Sequence, residues 1–253
     1  MERFRKKMFV NIHDVWFDMN KYYESKYLVK ILHTNKVIDN YSLIIKEKTF
    51  IIDLSQNVDA IFSNMDKKSA QYSINKAIKS GVYVNKAESE EDLKKYFKFF
   101  TDFSKRKSIP TIVYEELLDY DVFLAYSKEN ELLGGCAFLL DNDSGTYRYK
   151  HGATLYKYNE NDLLLWEAIK YAKVKNYKIF DFGGVKVTED EESYYFRHFK
   201  YKKKFGGELV DFYTYIKFGG LLKLFLFPFK ILLNVFFKGD FNRFVNVNRG
   251  KKQ

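Results

Sequence analysis

The sequence predicts an α+β protein, a mixed β-sheet flanked by helices. Three observations carry that reading. Residues 122–127, 132–140 and 146–153 are alternating or apolar runs parted by polar turns, the pattern of an antiparallel meander. A helical pattern precedes this block and another follows it. The apolar run 178–182 then comes after a helix, and a helical crossover makes it parallel to an earlier strand.

The elements follow in order. Residues 42–46 and 49–54 read as two short strands joined by a charged turn. Residues 66–80 read as a helix with Ala70, Ile74, Ala77 and Ile78 on one face and Gly81 as its stop. A strand at 82–86 leads to Ser89-Glu90-Glu91-Asp92, a cap for a long helix with Leu93, Phe97, Phe100 and Phe103 at helical spacing. After the meander, residues 161–175 place Leu164, Leu165, Ala168, Ile169 and Ala172 on one side. A last strand is expected at 208–216.

A chain of 253 residues with 46% apolar content can build a real core, and two prolines and 13 glycines leave no room for long linkers. The high aromatic share, 19%, is read as a compositional bias of the source rather than a binding surface. The single cysteine, Cys136, lies in an apolar strand and excludes an internal disulfide; a buried thiol is expected. Four scattered histidines and no cysteine pair give no zinc spacing, so no metal is expected. The first eight residues are basic without an apolar stretch, which points to the cytoplasmic side. The net charge of +10 is localised. Residues 1–196 hold 30 Lys+Arg and 30 Asp+Glu, whereas residues 197–253 hold 13 and 3. A polyanionic partner near the C-terminus follows: phosphate, tRNA or an anionic membrane.

Two stretches carry the chemistry. Ile179-Phe180-Asp181-Phe182-Gly183-Gly184-Val185 reads as a buried strand ending in an acid and two glycines. Tyr201-Lys202-Lys203-Lys204-Phe205-Gly206-Gly207 puts three lysines before a Phe-Gly-Gly that opens the last strand. Glycine lets a backbone approach a ligand, and lysines beside it can hold an anion or a developing oxyanion.

The pairing resembles the Fem-type branch of the GNAT-like acyltransferases, which includes tRNA-dependent enzymes acting on peptidoglycan precursors. That branch shows a Phe/Tyr-Asp-Phe-Gly-Gly strand end and then Phe-Lys-x-x-Phe-Gly, which Tyr201–Gly206 matches with Tyr for Phe. Ile52-Asp53-Leu54-Ser55 and the basic helix ending in Gly81-Val82 add a third likeness. The resemblance implies a GNAT-like mixed sheet at 82–216, a reduced GNAT-like remnant at 1–81 and a C-terminal tail at 217–253. It also implies catalytic roles for Lys202, which would steady charge on an acyl carbonyl or phosphate, and for Asp181, which would accept a proton from an attacking amine or orient it. Capping of backbone amides is the bland alternative for Asp181, and a solvated basic run is the one for Lys202. Phe199-Lys200 also begins with Phe-Lys, so the lysine register stays open.

Arg148, Tyr149 and Lys150 fall on the third meander strand, where such folds bind donor and acceptor. Strand alternation puts Arg148 and Lys150 on one face and Tyr149 and His151 on the other. Gly183, Gly184, Lys203, Phe205 and Gly206 complete the expected substrate-binding set. The loop Leu155-Tyr156-Lys157-Tyr158-Asn159-Glu160 lacks the glycines of an ordinary acetyl-CoA loop, as Fem-type members do. Residues 218–237 are apolar except for Lys223, Lys230 and Asn234, which share one stripe of a helix kinked at Pro228. An amphipathic helix lying on an anionic membrane is expected there.

The resulting expectation is an N-acyltransferase, peripheral on the inner face of the membrane. It would move an aminoacyl or other acyl group onto an amine of a lipid- or nucleotide-linked envelope precursor. No tightly bound cofactor is expected; aminoacyl-tRNA or acyl-CoA would be the donor substrate. The rival is a non-enzymatic basic protein that binds membrane or RNA and reuses the fold.

Overall fold

The computed structural model describes residues 2–7, 10–27, 29–39 and 41–219. Along the chain run β1 (Glu2–Lys7), β2 (Val10–Trp16), α1 (Met19–Glu24), β3 (Val29–Thr34) and β4 (Leu43–Asp53). Then come α2 (Val58–Ser63), a π-helical turn (Lys67–Gln71), α3 (Tyr72–Lys79), β5 (Tyr83–Lys86), α4 (Glu90–Lys107) and α5 (Tyr114–Leu117). The meander follows as β6 (Tyr120–Tyr126), β7 (Leu132–Asp141) and β8 (Thr146–Thr154). The described chain closes with α6 (Glu160–Val174), β9 (Ile179–Val185), α7 (Tyr194–Lys203) and β10 (Glu208–Phe218).

The chain divides into two compact units, residues 1–47 with 211–253, and residues 48–210. In the first, β1 pairs antiparallel with β2, β2 runs parallel to β3, and β3 pairs antiparallel with β10. The parallel pair needs a crossover, and α1 supplies it. Asp18 caps α1 by accepting from the Lys21 amide at 3.1 Å. Val15, Tyr22, Leu32, Ile38 and Tyr215 form this unit's core.

The second unit holds the strand order β4-β9-β8-β7-β6-β5, antiparallel except for β8 with β9. Helices cover both faces. On one side Ile74 and Ala77 of α3 and Leu163–Leu165 and Ile169 of α6 join Phe138, Tyr147, Phe180 and Phe182 of the sheet. Each such large apolar side chain contributes about 1.5–3 kcal/mol on burial. On the other side Tyr96 and Phe100 of α4 stack around His151. The α4 start is a capping box between Ser89 and Asp92, with acids in the first turn and Lys105, Arg106 and Lys107 in the last, as the helix dipole favours.

The mixed sheet flanked by helices is therefore present, with two differences from expectation. The two strands at 42–46 and 49–54 are one strand, β4, because the charged residues between them continue the extended ladder. The expected boundary at 81/82 does not coincide with the division into units. Residues 48–81 belong to the second unit because β4 pairs with β9, and Ile61, Met65, Ala70 and Ile74 enter its core. The last strand begins at Glu208 as expected, and the lysine run before it closes the helix α7. Residues 220–253, with nearly all of the expected membrane helix, lie outside the described residues.

Candidate functional site

β8 and β9 pair over only three positions, Thr146↔Ile179, Tyr147↔Phe180 and Arg148↔Asp181, and then part. Both strands are irregular where they part. On β8 the register shifts so that Tyr149 faces Phe138 and His151 faces Ala137, which leaves Lys150 as an extra, exposed residue. On β9 the register against β4 shifts between Thr49 and Ile51, around Phe182-Gly183, and Gly183 takes φ +74. Bulges bend and twist a strand and recur beside active sites. The β8 bulge also corrects the expected alternation. Tyr149 lies with Phe138 toward α6, whereas His151 lies with Tyr96 and Phe100 toward α4.

The paired end is fastened by charge. Asp181 is 2% exposed, and its two oxygens accept from three donors. Oδ1 takes the Thr49 hydroxyl at 2.5 Å and the Gly183 amide at 2.8 Å, and Oδ2 takes the Arg148 guanidinium. A buried carboxylate needs such company. Thr49 was not legible as a partner, since 132 residues separate it from Asp181. Its only signal was a hydroxyl at the start of the apolar run Phe50-Ile51-Ile52.

The parted end is spanned by Lys202. Its ammonium donates to the Gly183 carbonyl at 3.0 Å and the Gly184 carbonyl at 3.1 Å, and sits 5.8 Å from the centroid of the Tyr149 ring. Lys202 is 4% exposed, while Lys200 and Lys203 are exposed. Lys204 instead pairs with Asp162 of α6 at 2.5 Å. Asn161 donates to the Tyr201 hydroxyl at 2.6 Å, so α7 is fixed against the start of α6. Helical spacing sets adjacent residues about 100° apart, so one lysine of three points inward.

Asp181 and Lys202 thus meet through Gly183, one at its amide and the other at its carbonyl. Arg148, Tyr149 and Gly184 join them; Lys150 and Lys203 face solvent. Phe205 packs on Phe182 at 5.2 Å, in the core rather than between the parted strands. Gly206 has φ +76, and a Cβ there would lie 2.3 Å from the Asn64 carbonyl oxygen, so the Phe-Gly pair serves the close packing of α7's end on the segment after α2. Phe205 and Gly206 also line a small cavity of about 160 Å³ with Ile51, Gln56 and Asn64.

The loop before α6 is already filled by an anion. Glu160 is fully buried, and its carboxylate accepts the Tyr158 amide at 2.8 Å and the Lys157 amide at 3.3 Å. A phosphate at these amides would have to displace it. Cys136 is buried, and burial pushes its thiol well above the usual range. His151 is held neutral, pushed down to about 3 by burial, with Lys150 adding to the shift. Among the described residues no metal-holding cluster occurs, and no helix is long and apolar enough to cross a membrane.

No protein-family model and no curated protein matches the chain by sequence. Solved structures do match in fold. FemX aligns over 84% of this chain and 83% of its own, with TM-score 0.64 and 13% identity. L-PGS from Bacillus licheniformis aligns over 89% and 83%, with TM-score 0.57 and 13% identity. The C-terminal domain of a putative lysylphosphatidylglycerol synthetase from Agrobacterium fabrum covers the same shares, with TM-score 0.56 and 11% identity. Identities this low speak for architecture alone. The chain shares its fold with FemX, with L-PGS and with this synthetase domain.

Proposed function

We propose that the chain is an N-acyltransferase that moves an aminoacyl or other acyl group onto an amine of an envelope precursor. The observation that supports this most is the parting of β8 and β9 with the Lys202 ammonium across it. In this reading the acyl carbonyl enters between the strands and the amine nitrogen attacks it directly. A C–N bond forms, and the ester or thioester bond to the donor breaks. The amine's proton leaves to water, and the leaving oxygen or sulfur takes one. Lys202 steadies the carbonyl oxygen as charge develops, help worth a few kcal/mol in a dry site. Asp181, engaged by Arg148, Thr49 and Gly183, acts as the anchor that holds the Gly183 turn at the right height.

An ester donor such as aminoacyl-tRNA suits the loop before α6, where Glu160 occupies the amides that a pyrophosphate would use. A lipid- or nucleotide-linked acceptor and an anionic membrane surface fit the basic C-terminal stretch.

The test is transfer of labelled acyl groups from aminoacyl-tRNA or acyl-CoA to an envelope-lipid fraction. Lys202→Ala is expected to slow transfer about 100-fold or more while donor binding is largely kept. A wild-type chain with no transfer from either donor, yet with vesicle or RNA binding, would instead favour the non-enzymatic binding protein.

A further inference from the structure

At the other end of β8 from the parting lies a cavity of about 440 Å³, between the turn before β8 and the C-terminal end of α6. Such a volume suits a small molecule. Asp121, Asn142, Tyr171, Lys175, Asn176 and Tyr177 line it.

The polar groups fall into an acidic part and a donor-rich part. Asp121 is the acid, held by Lys86 at 2.8 Å and by the Tyr147 hydroxyl at 3.1 Å. Burial alone would lower Lys86, but its hydrogen bond and ion pair with Asp121 outweigh that and raise it, so Lys86 stays charged at neutral pH. The donor-rich part is Lys175 with the amides of Asn142 and Asn176, all exposed. The Tyr177 hydroxyl donates to Asn142 Oδ1 at 2.8 Å, which leaves the Asn142 amide N–H groups to donate. Burial, with Asp121 next, pushes the Tyr177 hydroxyl upward, so it remains a neutral donor.

The aromatic walls narrow the choice of ligand. The Tyr171 ring already carries the Lys86 and Lys175 ammoniums, each 5.6 Å from its centroid. Tyr177 packs on Tyr147 at 5.1 Å. A nucleobase would need a bare ring to stack on, and its phosphate would need an excess of cations. Among the residues that line the cavity there is one acid, Asp121, and one base, Lys175.

We propose that this cavity binds a free amino acid as its zwitterion. The ligand's ammonium rests against Asp121, and its carboxylate takes Lys175 and the Asn142 amide. The site is separate from the parted strands and does not depend on the acyltransferase reading.

Calorimetric titration of the full chain with each common amino acid tests it. At least one should bind in a single site. Lys175→Ala, a change to an exposed residue, should weaken binding about tenfold, the worth of one charge-assisted contact. Asp121→Asn should weaken it at least as much, and Asn142→Ala keeps the test open should loss of the Lys86 pair unfold that variant. No binding by any amino acid, or binding untouched by both Lys175→Ala and Asn142→Ala, overturns the proposal. Tighter binding of a nucleoside monophosphate than of any amino acid overturns it as well.

Discussion

The same two strands, β8 and β9, are held in opposite ways at their two ends. Over Thr146–Arg148 the backbones pair directly, and a buried ion pair crosses between the side chains. Beyond that, the backbones part and one lysine from α7 binds carbonyls on one strand and a ring on the other. The closed end is a satisfied network, costly to break and closed to solvent. The open end keeps its carbonyl groups occupied by a donor on a separate helix. The difference teaches how one strand pair can be fastened by its own backbone at one end and by a neighbouring helix at the other.

Removing the closed end's anchor should have the largest effect. Asp181→Ala leaves Arg148 buried without its carboxylate and should cost about 3–5 kcal/mol in chemical denaturation. A loss below about 1 kcal/mol would mean that the pairing, not the charge, fastens this end.

Gly183→Ala tests the open end. Its φ of +74 disfavours any side chain by about 1–2 kcal/mol, and the new Cβ would lie 2.9 Å from the Tyr149 carbonyl oxygen. Stability should fall by somewhat more than that. A neutral result would show the parted strands already move freely.

His151 reports on acid behaviour just past the β8 bulge. Its folded value of about 3 lies below the ordinary 6.5, so the unfolded chain takes the proton first. Stability from this group is full above the ordinary value and is lost as pH falls toward about 3, at up to about 1.4 kcal/mol per pH unit. Urea unfolding of His151→Phe across that window should show a shallower slope than the wild type. Equal slopes would place an ordinary, accessible histidine there.

Lys203→Ala should do least, within about 0.5 kcal/mol, because its side chain faces solvent next to the buried Lys202. An effect on transfer as large as that of Lys202→Ala would shift the working lysine by one residue.

Much of the second unit was legible because its strands alternate and its helices repeat with clear caps. The meander, α6 and β9 lie within a few residues of where the pattern put them. The Ser89 capping box was visible as four adjacent residues. Other features left no local trace. Arg148 and Thr49 reach Asp181 from 33 and 132 residues away, and only the sheet order brings them together. Three adjacent lysines name a basic run, but the face of α7 decides which one turns inward. Glu160 stood only as the last residue of a loop without glycine, and its turn back onto two loop amides goes with the positive φ of Tyr156 and Asn159.

The extra residue in β8 makes the strand unequal in its tolerance of length changes. Deleting Lys150 would leave Tyr149 opposite Phe138 and His151 opposite Ala137, so every later pair stays in phase. Deleting Gly152, two places on, would bring Ala153 opposite Cys136, where any Cβ falls 2.7 Å from the sulfur. A single-residue deletion is therefore absorbed at one point and ruinous at the next. What the tolerated deletion removes is the bend itself, so a shortened chain would keep its ladder with the parting of the strands reduced.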